Sequence, residues 1–226
     1  MRNGFVHFQF LENNQAIHPN TKFYLKPAAS LSDIPFFDEE NDCIVLEIMP
    51  CQDEATFPIP EPFTVFSSYV SEFYLIGHTG GYGKDFDHVT YIADPSDHII
   101  KDDIAFMKTE SLEIMRNNGI DQNRFHFESG EYDYALNEKR ILFHCNSSKG
   151  ASGAPGIQVK DGHIVVVTML LHGYPDWYYD SCQELSQLKQ HWPMNYCIEQ
   201  GALMREIYLK MVAKNTELCR EVFQNQ

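Results

Sequence analysis

Residues 146–156 read NSSKGASGAPG, with a single serine, Ser152, held between two glycines and followed by a proline. A nucleophilic serine needs exposure on a tight turn, a base to take its proton, and donors for the oxyanion that forms on attack. This stretch can supply the first and the third. Gly150 lets the backbone aim an N–H at a reacting carbonyl with no Cβ in the way, and the N–H of Ser152 can point the same way. Gly153 leaves room beside the hydroxyl, and Pro155 fixes the start of the next element. Taken alone, G-x-S-G is also an ordinary turn sequence. The rival nucleophile elbow, G-x-S-x-G leading from a strand into a helix, does not fit: Ala154 replaces the last glycine, and a strand pattern follows.

Other clusters offer less. A phosphate loop reads G-x-x-x-x-G-K-[ST]. In the run from Gly77 to Asp85 the spacing is one residue too long, and Asp85 stands where the hydroxyl should be. His172, Cys182, His191 and Cys197 are separated by long, irregular gaps, unlike a closed zinc site. Asp85, Asp87, Asp94 and Asp97 read as a solvated rim rather than a calcium site. No metal and no cofactor are expected.

The elements that must position Ser152 are mostly strands. Period-2 alternation marks 5–12, 21–28 is a second strand pattern, and 43–49 is apolar enough to suggest a strand buried on both sides. Four prolines at 50–62 mark an extended connector. Further strands are expected at 72–78, 88–94, 140–146, 156–160 and 163–173, the last two joined by a tight hairpin through DGH at 161–163. Helical spacing covers 102–119, with Gly119 as its stop, and 199–223 reads as the clearest helix. The serine loop therefore lies between two strands of a mostly β chain with a C-terminal helix.

G-x-S-G-x-P between two strands, followed by a hairpin, resembles the nucleophile segment of trypsin-like (chymotrypsin-fold) serine peptidases. Two more segments carry the likeness. The stretch NDCIVLEI at 41–48 resembles the strand that the triad aspartate immediately precedes, and LIGHTGGYGKDFD at 75–87 resembles the opening of the second barrel. The loop also resembles that of the intracellular group called family with sequence similarity 111, which reads G-S-S-G-S-P. The resemblance spans roughly residues 5–175. It implies Ser152 as nucleophile, Asp42 as orienting carboxylate 110 residues earlier, and the amides of Gly150 and Ser152 as the oxyanion hole. It implies a substrate pocket between Asn146, Ser147 and Ser148 on one side and Met169 to His172 on the other, with Asn146, Leu171 and His172 as its binding residues. No aspartate stands at the pocket base, so an apolar or aromatic P1 side chain is expected. Ala151 replaces the aspartate that closes a zymogen-type salt bridge.

The same resemblance implies a two-barrel fold with an incomplete first barrel: residues 1–62 as its remainder and connector, 63–196 as the second barrel, and 197–226 as the closing helix. It places the triad histidine ahead of residue 5, so the chain on its own is expected to be weakly active. His7 falls in a strand and His18 in a turn; His78 is expected to make a structural hydrogen bond, and His144 to fill space.

The totals bound the class. The chain has 226 residues, 43% hydrophobic and 13% aromatic, enough for a real core. A formal charge of −15 with scattered Lys and Arg offers no basic face for nucleic acid. No apolar run reaches membrane-spanning length, and the start lacks a secretory h-region. Six cysteines without tight pairing suggest free thiols, hence a cytoplasmic or nuclear setting. The expected partner is a polypeptide substrate. A non-catalytic interaction module on the same scaffold, and more weakly a small-molecule esterase, remain the alternatives.

Overall fold

The computed structural model describes residues 5–7, 22–50, 63–64, 70–77, 85–121, 131–145, 151–180 and 185–223. Of the expected connector, Pro50 instead ends a strand, paired with Phe23, and 51–62 fall outside the described residues. The chain divides into two compact units: Met1–Val65 with Arg205–Gln226, and Phe66–Met204.

The first unit holds two small antiparallel sheets. β1 (Phe5–His7), β2 (Lys22–Leu25) and β5 (Ile48–Pro50) form one, with β2 in the middle. β3 (Phe36–Asp38) and β4 (Cys43–Val45) form the other, a hairpin pairing Phe36 with Val45. The apolar run 43–49 is thus two strands in two sheets rather than one buried strand, and Ile44, Leu46 and Met49 are exposed. The hairpin turn holds 43–45 against 36–38. The Lys26 N–H donates to Glu47 O at 2.8 Å, and the Lys26 ammonium donates to the Glu47 carboxylate at 2.7 Å, carrying 48–50 over to β2. Two helices complete the unit, Met204–Lys214 and Thr216–Val222. They are split at Asn215, whose side chain caps the second by accepting the Leu218 N–H at 3.1 Å. The Lys210 ammonium donates to Asp38 at 2.7 Å and to Glu40 at 2.5 Å.

The second unit is built on one antiparallel sheet of seven strands in the order β7-β6-β10-β11-β12-β9-β8. These are β6 (Phe73–Gly77), β7 (Asp85–Val89), β8 (Ile92–Ala93), β9 (Arg140–Phe143), β10 (Pro155–Lys160), β11 (His163–Tyr174) and β12 (Ile198–Leu203). The sheet curls into a half barrel. Its two outermost strands, β7 and β8, are consecutive in the chain, separated only by Thr90 and Tyr91. Pairing shifts at Gly156/Ile157 and at Leu170/His172 bend β10 and β11. The β10–β11 hairpin closes through Asp161 at φ 52° and Gly162 at φ 80°, both left-handed as a type I′ turn requires.

Inside the curl lie Phe73, Leu75, Val89, Ile141, Phe143 and Leu170, with Phe73 and Phe143 edge to face at 5.0 Å. Outside it, α1 (His98–Asn117) buries Ile100, Ile104, Met107 and Met115 against Leu142, Tyr174, Trp177 and Ile198. β9 is buried on both faces, Ile141 and Phe143 inward and Leu142 toward the helix, which is why its sequence is apolar without alternation. α1 starts four residues before the expected 102, where the Asp97 side chain accepts the Ile99 N–H at 2.9 Å. It stops at Gly119, φ 67°.

The tail departs most from expectation. Residues 198–203 are the strand β12, hydrogen-bonded between β11 and β9, rather than the start of a helix. Gly201 explains why strand pairing wins: a Cβ there would run into the Thr168 hydroxyl, which itself donates to Ala202 O at 2.8 Å. The run accepts close packing from β11 that a helix would forfeit.

Candidate functional site

Ser152 is carried on a β-turn from Ala151 to Ala154, just ahead of β10. The Ala154 N–H donates to Ala151 O at 2.9 Å. Gly153 takes φ 86°, the left-handed value that a type II turn needs at its third position. Ser152 thereby occupies the second position, and its side chain is exposed. The turn is anchored from within. Ala151 and Ala154 are 3% and 6% exposed and pack into the interior of the curl with Phe73, Phe143 and Leu170. Gly77 at the end of β6 makes room, since a Cβ there would sit 3.0 Å from the Ala154 methyl. Two further bonds pin the turn to β11: Gly153 N–H to Leu170 O at 2.7 Å and Leu170 N–H to Ala154 O at 2.9 Å. Small residues on either side of the serine thus let the turn sink into the sheet while the hydroxyl stays out.

These bonds put Ser152 next to the strand expected to form one pocket wall. Within that strand Leu171 is buried, and His172 is half-buried with Nε2 2.7 Å from the Tyr174 hydroxyl. Gly150 and Asn146, with Ser147 and Ser148, lie outside the described residues, as do His18 and His78. His7 lies in β1. His144 is held by structure, its Nδ1 2.5 Å from Cys197 O and its ring against Tyr91.

Asp42 belongs to the first unit, at the turn between β3 and β4. It is exposed and takes φ 47°, a conformation aspartate tolerates. The buried carboxylate of that hairpin is Asp38. Burial pushes its pKa up, but the Lys210 ammonium and the Asn41 amide outweigh this and hold it below the usual carboxylate value.

A cavity of about 610 Å³ opens where β7 and the chain after β9 diverge, beside α1 and residues 194–198. Asp87, His88, Asp103 and His144 are among its ionisable lining groups. Among the described residues no three His, Cys, Asp or Glu side chains gather as metal ligands, and Cys43, Cys145, Cys197 and Cys219 are free thiols.

No protein-family model matches this chain, and no curated protein does.

One group near the serine turn escaped the sequence. Glu199, on β12, is 2% exposed. It pairs across strands with Gly173 on one side and Phe143 on the other. Its carboxylate accepts the Tyr179 hydroxyl at 2.5 Å and the Cys145 N–H at 3.1 Å. Burial raises its pKa to about 7, and hydrogen bonds from Tyr179, from the Cys145 N–H and thiol and from its own backbone limit the rise. The same carboxylate adds to the burial that pushes Tyr179 and Cys197 up, Cys197 to about 12. Read as the first turn of a helix, an EQ pair at 199–200 looks like a solvated face. Only its place in the middle of the sheet makes it a buried acid.

Proposed function

We propose that the chain carries the nucleophile of a trypsin-like serine peptidase acting on polypeptides. In this reading Ser152 attacks the scissile carbonyl and the amides of Gly150 and Ser152 receive the oxyanion. The imidazole that takes the serine proton is the one the resemblance places ahead of residue 5, and Asp42 is its orienting carboxylate. One observation carries the reading: an exposed serine at the second position of a tight turn between two strands of a curled antiparallel sheet, bracketed by two buried alanines. The curled seven-stranded antiparallel sheet around the turn is compatible with a β-rich barrel fold. The half-buried to buried wall at Leu171 and His172 suits an apolar or aromatic P1 side chain.

The test is covalent labelling of the full chain with a fluorophosphonate, with Ser152→Ala as control and a peptide panel varied at P1. With the base placed ahead of residue 5, the reading expects a slow, single adduct on Ser152, abolished in the variant. No Ser152-dependent adduct even at high probe concentration and long exposure would end it. A second reading, a non-catalytic interaction module on the same scaffold, draws on the exposure of Asp42, because an orienting carboxylate is buried against its imidazole. Absence of the adduct would favour that module.

A further inference from the structure

We propose that Glu199 is a positioning residue, a strut that fixes the upstream end of the serine loop to β12, an interior strand of the sheet. The inference rests on the peptidase reading only for what the loop does, not for how it is held. Ser152 is reached from β9 through Cys145 and the residues after it. The downstream end of the loop is tied to β11 by the two Leu170 bonds. At the upstream end β9 pairing stops at Phe143, and the Cys145 N–H turns instead to Glu199 Oε2. Glu199 is held in its own place from the other side by the Tyr179 hydroxyl on Oε1. That hydroxyl arrives because Gly173, the cross-strand partner of Glu199, has no Cβ: a methyl there would run into the Tyr179 ring. One side chain on β12 thus joins β11, the segment after it at Tyr179, and the start of the serine loop.

A buried carboxylate in the centre of a sheet costs desolvation, and an apolar residue of similar size would fill the space more cheaply. What the carboxyl adds is an acceptor aimed at a backbone N–H that has left the ladder, and that N–H belongs to the loop.

The prediction separates Gln from Leu. Glu199→Gln keeps a carbonyl for the Cys145 N–H and offers its amide to the Tyr179 oxygen. Glu199→Leu keeps the volume and removes both. Hydrogen exchange of the full chain, read on peptides spanning Cys145 and Ala151–Ala154, is expected to quicken about tenfold in the Leu variant and to stay near wild type in the Gln variant. Exchange in the β10–β11 hairpin should not change. Gly173→Ala, which displaces Tyr179 without touching the acid, is expected to give an intermediate loosening at the same peptides. Equal exchange in the Leu variant and wild type would overturn the proposal. So would loosening spread evenly through the sheet, since that marks a core residue and nothing more. Fluorophosphonate labelling of Ser152 in the same samples separates the two ideas. With wild-type labelling, the Leu variant should react more slowly and the Gln variant at the wild-type rate. If wild type is not labelled, the peptidase reading fails and the strut still stands or falls on the exchange data.

Discussion

Ser152 owes its exposure to its neighbours rather than to itself. Its own side chain contributes nothing to the core, so Ser152→Ala is expected to leave unfolding free energy within about 0.5 kcal/mol of wild type. Urea denaturation checks this, and it licenses the variant as a clean control for labelling. Gly153 is different. Nothing lies within 4 Å of where its Cβ would sit, but its φ of 86° is one an L side chain resists. Gly153→Ala should therefore cost about 1–2 kcal/mol through the backbone alone, visible as an earlier urea midpoint with an unchanged slope. Asp42 and Asp38 make the converse pair. They lie four residues apart, yet Asp42 is exposed at the turn and Asp38 is buried and bound to Lys210.

Elements divide by how far their causes lie along the chain. Strands β6, β9, β10 and β11 were legible because apolar runs, a proline start and an Asp-Gly turn are local signals. The helix stop at Gly119 was legible for the same reason. The turn around Ser152 was legible as a turn, since Gly153 names its own conformation. Residues 198–203 were not, because their state is set by hydrogen bonds to β9 and β11, about 60 and 30 residues upstream, and local propensity yields to such pairing. Glu199 was hidden for that reason, and so was Ser111. In sequence Ser111 is a polar residue on a helix; in the fold it is fully buried and accepts the Trp177 indole N–H at 2.9 Å. The helix layer should be unforgiving where it is fully packed. Met107 has no exposed surface, and Met107→Ala is expected to cost about 2–5 kcal/mol, measured by the shift in the denaturation midpoint.

At the scale of the molecule the two units can be read separately, because both tryptophans, Trp177 and Trp192, lie in the second. Removing the Lys210 ammonium by Lys210→Met leaves the buried Asp38 without its cation and with only Asn41 as partner, and should cost the first unit about 1–3 kcal/mol. The loss should appear in far-ultraviolet circular dichroism and leave the tryptophan transition in place. Glu199 acts on the other unit. Its pKa is near 4.5 unfolded and about 7 folded, so the native state holds the proton more tightly. Stability from this group is full below about pH 4.5 and declines as pH rises toward 7. Tyr179 and Cys197, pushed up first by burial, stay protonated throughout that window. The tryptophan-monitored stability of Glu199→Gln should lack this decline, and an identical pH profile in both proteins would refute the assignment. Finally, the first unit is assembled from residues before 66 and after 204, with the whole of the second unit threaded between them. On a ribosome, Phe66–Met204 has emerged entire while the earlier segment still lacks Lys210 and Phe223. The later-numbered half can therefore mature first, and the opening residues must wait for the last helices to leave the exit tunnel.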